Sequence, residues 1–179
     1  FTLKKDSLEF CHNGTKFFTI ENIKAICTYG GNDKKREVES IGRFGVGFKS
    51  TSRITKNPQI RSSQFAFQIN HQVIPKPIDS SSLSRKEFAT QFNFPFGTAE
   101  LDSPSIYRES LSTLLTINSN NLLFLNNIKL IVIEMPSERN KKRVMGKTQL
   151  DPVLVELKQS LDGTKNSVES EYFLKYSKK

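Results

Sequence analysis

The residues best suited to chemistry lie in one short string, IGRFGVGFKS, at positions 41–50. Gly42, Gly45 and Gly47 fall within six residues and are followed by Lys49 and Ser50. Glycine has no Cβ, so its backbone amide can come close to a ligand. If Val46 or Gly47 opens a helix, several N–H groups without an intrahelical partner converge there and favour an anion. The helix dipole adds about 0.3–1 kcal/mol at an exposed site. Cations are at hand in Lys49 and in the polar stretch just upstream, Lys34, Lys35 and Arg36. The chemistry this implies is phosphate binding by main-chain amides.

Two familiar phosphate motifs fail on spacing. G-x-x-x-x-G-K-[ST] would match Gly42 and Gly47, but Phe48 intervenes before Lys49-Ser50. One inserted residue at a helix start turns the lysine about 100° away from the phosphates. G-x-G-x-x-G fits Gly45 and Gly47 but places Ser50 third. Both motifs need an apolar strand immediately before them, and 35–40 is charged. The remaining reactive residue types suggest no second chemistry. His12 stands in the turn His12-Asn13-Gly14 and reads as a turn residue rather than a catalyst, and His71 reads as exposed. Cys11, next to His12, and Cys27 read as small core residues with free thiols.

The elements that must position the glycine string follow from periodicity. Leu8, Phe10 and Cys11 make a short strand ending on the His12-Asn13-Gly14 turn. Thr19 predicts a helix N-cap, and Ile20, Ile23, Ile26 and Cys27 follow at helical spacing up to a stop at Gly30-Gly31. The polar stretch 31–40 reads as a loop. Phe65, Phe67 and Ile69, then Phe88, Phe92 and Phe94, alternate like a sheet face, with a loop over 75–84 between them. After Pro104 a helix carries Ile106, Leu111, Leu114 and Leu115, and a strand is expected over 129–134. A basic loop over 139–147 then leads to a hairpin of 153–159 and 171–176, turned at Asp162-Gly163. The shift to a mostly strand pattern puts a domain boundary near Ser137, giving 1–137 and 138–179.

In this order the pieces resemble the GHKL ATPases, the group of gyrase B, the heat-shock chaperones, histidine kinases and MutL. G-x-F-G-x-G-F-x-S is that family's glycine-rich lid motif, and IGRFGVGFKS is close to the version found in its sacsin-like and chaperone-like branch. FCHNGTKFF at 10–18 sits where the family carries its adenine-binding D-x-G-x-G segment. Asn32, Asp33 and Lys34 resemble its S-x-K, and Ala89-Thr90-Gln91-Phe92 resembles the strand whose threonine supports adenine through water. The resemblance spans roughly 8–134. It implies an α+β fold, the two-layer α/β sandwich of the GHKL (Bergerat) type, with a mixed sheet covered by helices on one face and followed by C-terminal strands. It also implies ATP with Mg²⁺ as cofactors. Gly42, Phe44, Gly45, Val46, Gly47 and Phe48 would close over the triphosphate, Lys49 or Lys34 would neutralise it, and Asn13 and Gly14 would meet adenine with Thr90 behind them. The resemblance further implies a larger chaperone-like or sacsin-like ATPase with client or partner protein domains.

Two departures bear on activity. Asn13 stands where the family reads adenine with an aspartate, so the bond to the adenine amino group lacks a full charge and is weaker. The family's N-box helix, which supplies a glutamate base and a magnesium-binding asparagine, precedes the strand at Leu8. Seven residues stand there in this sequence, beginning at Phe1. The chain therefore reads as a piece of a longer protein, or as a degenerate one, and is expected to be inactive alone as an ATP hydrolase.

Composition bounds the rest. The 179 residues carry 27 Lys and Arg against 18 Asp and Glu, a net +9, with fourteen Phe and no Trp. The densest apolar run, 128–135, is broken by Lys129 and Glu134, too short for the roughly 20 residues of a membrane span. With no charged and then apolar leader visible, an intracellular setting, cytoplasmic or nuclear, without a membrane partner is expected. The positive charge supports an alternative: a basic interaction module binding nucleic acid or an acidic partner through Lys141, Lys142 and Arg143, its nucleotide site degenerate. Against this, the phenylalanines sit at strand-core positions rather than interleaved with the basic residues as stacking platforms.

Overall fold

The computed structural model describes residues 1–28, 47–79, 81, 83, 87–160 and 168–174. The fold is α+β and rich in strands. In chain order these are β1 (Thr2–Leu3), β2 (Ser7–His12), α1 (Ile20–Cys27), a 3-10 turn (Phe48–Arg53), β3 (Gln59–Ser62), β4 (Phe65–Asn70), β5 (Ile74–Pro77), β6 (Thr90–Pro95), α2 (Ser103–Thr116), a second 3-10 turn (Ser119–Phe124), β7 (Leu130–Met135), β8 (Lys141–Gln149), β9 (Leu154–Ser160) and β10 (Val168–Leu174). Contacts divide the chain into two compact units, Lys5–Tyr107 and Arg108–Lys179, the latter joined by Phe1–Lys4. The expected boundary at Ser137 instead lies in the turn of the β7–β8 hairpin, inside the second unit.

In the first unit the sheet runs β2-β6-β3-β4-β5 and is antiparallel throughout. Its two faces follow from the period-two alternation. Phe10 pairs with Phe92, Phe92 with Ile60, and Ile60 with Phe67, so one apolar row crosses four strands. Ile60, Phe67 and Ile69 bury there with Cys27 of α1, and Phe18, Ile23, Ile26, Phe48, Phe65 and Phe92 pack against them. Each such side chain contributes about 1.5–3 kcal/mol when fully buried. One residue along, Glu9, Asn93, Gln59 and Gln68 share the opposite face. Their amides are linked: Asn93 Nδ2 donates to Gln59 Oε1 at 2.9 Å, and Gln59 Nε2 to Gln68 Oε1 at 3.4 Å.

Helix α1 begins where the sequence places it. Thr19 is extended, its hydroxyl accepts from Asn22 N at 3.3 Å, and Asn22 Oδ1 accepts from Thr19 N at 3.0 Å, a reciprocal cap. The helix ends at Cys27, with Thr28 as its cap. The proposed stop at Gly30-Gly31 lies outside the described residues.

In the second unit the order is β10-β9-β8-β7-β1, antiparallel except for the parallel pair β1 and β7. Leu3, Ile133, Met135, Met145, Val155 and Leu157 are almost fully buried. Most of the basic stretch 139–147, from Lys141 on, is strand β8 rather than a loop. Arg139 and Asn140 both take positive φ, 52° and 56°, and Lys141 N donates to Glu138 O at 3.0 Å, closing a tight turn whose twist suits a hairpin. From there Arg143, Met145 and Lys147 alternate onto one face of β8. Arg143 is 5% exposed, and its Nη1 donates to Leu114 O and Leu115 O, both at 3.0 Å. Lys147 Nζ donates to Leu122 O at 2.7 Å and Leu125 O at 2.6 Å. These two cations satisfy carbonyls at the ends of α2 and of the second 3-10 turn, where a positive charge is also favoured by the dipole. Lys142, on the other face, pairs with Glu134 at 3.1 Å. Lys141, Lys142 and Arg143 therefore do not form one basic patch.

No helix among the described residues is long and apolar enough to cross a membrane.

Candidate nucleotide site

Three strand ends of the first unit meet side by side. His12, the last residue of β2, is in register with Thr90, the first of β6, and Thr90 is in register with Ser62, the last of β3. Asn13 and Gly14 leave β2 from this corner and are exposed. Thr90 is 2% exposed, and its Oγ1 lies 2.7 Å from Ser62 Oγ. Ser62 Oγ also accepts from Phe18 N at 3.0 Å. The hydroxyl pair thus ties the segment entering α1 to the sheet and fixes Thr90 directly beside the turn at 12–14.

His12 is held as well as placed. Its Nδ1 accepts from Gly14 N at 3.2 Å, so the neutral ring carries its proton on Nε2. Burial holds its pKa below the ordinary 6.5. A Cβ on Gly14 would stand 3.1 Å from that Nδ1, so glycine allows the close return of the chain over the ring. The ring also lies 6.0 Å from Phe10, at the edge of the aromatic row.

At the downstream end of the glycine string, Gly47 (φ −58°, ψ −47°) caps the turn Phe48–Arg53, which is a 3-10 turn rather than an α-helix. Among the described residues, a Cβ built on Gly47 meets nothing within 4 Å. Phe48 points into the sheet, its ring 6.2 Å from Phe92, so its side chain anchors the string to the core. Lys49 Nζ donates to the Gln72 carbonyl, and burial lowers its pKa while the nearby Cys27 thiol opposes that shift. Lys49 is thus engaged in the protein itself. Lys34, Gly42, Phe44, Gly45 and Val46 lie outside the described residues.

The structure therefore brings Asn13, Gly14 and Thr90 to one corner, although 76 positions separate Gly14 from Thr90. Ser62 belongs to the same corner and carries no sequence signal; beside Ser63, it looks like any other serine at a strand end. A separate cavity of about 770 Å³ is lined by residues including Lys56, Asn57, Asn70, His71, Thr98 and Glu100. It contains none of the residues singled out for nucleotide binding.

The corner thus sets a buried, hydrogen-bonded hydroxyl beside an exposed turn. Among the described residues no three His, Cys, Asp or Glu side chains gather as a ligand set.

No family model matches the chain, and no solved structure matches it. It is similar to Protein NO VEIN of Arabidopsis thaliana, 37% identical over 70 residues. That stretch is 39% of this chain and 2% of the plant protein.

Proposed function

We propose that the chain binds ATP as a GHKL-type nucleotide-binding domain, its first unit serving as the sandwich with the helical face over Phe92 and Ile60. The observation that carries this reading is the register of His12 with Thr90. It joins two segments that the sequence resemblance assigns independently to one adenine site. Thr90, fixed by Ser62, would orient a water or the base itself, and Asn13 would accept from the adenine amino group. The open side of Gly47 leaves room for phosphate oxygens against its backbone. Magnesium would be held by the phosphates and by groups beyond the described residues, and no step on this chain is routed through it. The glutamate base of the resembled family has no counterpart assigned among the described residues of this corner, and nucleotide binding is the behaviour proposed here. Membership of a larger chaperone-like or sacsin-like ATPase, client domains as partners and an intracellular setting belong to the same proposal.

Of the three residues of the nucleic-acid alternative, Arg143 is buried against carbonyls of its own unit.

Calorimetric titration of ATP, with and without Mg²⁺, tests the reading. It is run on this chain and on a form extended upstream by roughly 60–80 residues, within the size of one domain. Saturable binding is expected, weakened about 5- to 100-fold by Thr90→Val, the equivalent of one buried hydrogen bond. No heat at millimolar ATP in either form would sink the proposal.

A further inference from the structure

Strand β10 forms the outer edge of its sheet. All seven of its residues are in unbroken register with β9, from Val168 opposite Ser160 to Leu174 opposite Leu154. An edge of this kind offers main-chain donors and acceptors to another strand, and proteins commonly blunt it with proline or lysine. The edge strand β5 in the first unit is blunted that way, by Pro75, Lys76 and Pro77. β10, with the sequence VESEYFL, has neither residue type.

The outward-facing main-chain groups can be assigned. The Leu154 carbonyl accepts from Leu150 N at 3.0 Å and Asp151 N at 3.4 Å, on the side away from β10. The Leu154–Leu174 pair is therefore not a hydrogen-bonded one, and antiparallel alternation turns the N–H and C=O of Ser170 and Tyr172 outward. The side chains alternate too. Val168, Tyr172 and Leu174 share one face and are 45%, 61% and 60% exposed. Glu169 and Glu171 lie on the other face, both exposed. A second copy pairing antiparallel about Ser170 or Glu171 would set glutamates against glutamates, which is destabilising. A cationic strand meets no such penalty.

We propose that β10 is a strand-addition site for an extended segment that alternates cationic and apolar side chains. Backbone hydrogen bonds would supply affinity, and Glu169 and Glu171 the selection by charge.

The test uses the full chain and a labelled, end-capped (Lys-Val)4 peptide, followed by fluorescence anisotropy and by amide shifts of 168–174. Saturable binding that shifts Ser170 and Tyr172 is expected. Glu169→Lys combined with Glu171→Lys should abolish it and create binding of (Glu-Val)4. Methylating alternate peptide nitrogens on one edge should weaken binding about tenfold or more, the worth of one or two hydrogen bonds, with the protein unaltered. Three outcomes overturn the proposal: no binding at millimolar peptide, equal affinity for the methylated peptide, or dimerisation of the chain through β10.

Discussion

Replacing Arg143 with methionine separates a structural cation from a nucleic-acid contact. The guanidinium is 5% exposed and donates twice, at 3.0 Å, to the carbonyls of Leu114 and Leu115. Hydrogen bonds from a charged donor contribute about 1.5–3 kcal/mol each. The Nε of Arg143 is buried without a hydrogen-bond partner among the described residues, which offsets about 1–3 kcal/mol of that gain. The expected loss for Arg143→Met is therefore roughly 2–3 kcal/mol. Urea denaturation followed by circular dichroism reads this out as a midpoint lower by about 1 M or more, at the m-values usual for small domains. Lys142→Met is the control. Its pair with Glu134 is solvent-exposed, so the change should stay within about 0.2–1 kcal/mol. The reasoning is refuted if Arg143→Met leaves the midpoint within about 0.5 kcal/mol of the parent and removes binding to DNA at low salt.

Thr19→Ala removes the hydroxyl that caps α1 and should cost about 0.5–2 kcal/mol in the same assay. Phe92→Ala empties the centre of the aromatic row, beside Phe10, Phe18, Phe48 and Phe94, and should cost about 3–5 kcal/mol. Gly47→Ala should leave folding nearly unchanged, since its φ is ordinary and no described residue lies within 4 Å of the new methyl. A loss of ATP affinity in that variant then reports on the phosphate contact rather than on stability. His12 has its folded-state pKa depressed by burial, so its unfolded state binds protons first as pH falls. Its contribution is fully present above pH 6.5 and declines as pH drops below that value towards the folded pKa. Denaturation midpoints between pH 7.5 and 5 should fall less steeply in His12→Gln.

What could be read from the residues was the alternating phenylalanine pattern and the cap of α1. Phe65, Phe67 and Ile69 announce β4 because their period matches the pleat, and Thr19 announces a helix because its cap is local. The strand β8 was hidden, since KKRVMGK reads as a solvated loop. Arg143 and Lys147 find their partners 22 to 29 positions away, at helix ends that no local pattern connects to them. Of the glycine string, 47–50 fall among the described residues, where Phe48 serves the core and Lys49 an internal carbonyl. Ser62 could not be foreseen as the support of Thr90, because its role depends on strand register rather than on neighbours in sequence.

The most direct measurement is a map of backbone amide shifts as ATP is added to the labelled chain. Binding at the proposed corner should move Asn13, Gly14, Gly47 and Thr90 together, along one saturation curve. Unmoved spectra at millimolar ATP would contradict it, as would shifts confined to the cavity around Lys56, Asn70 and Glu100.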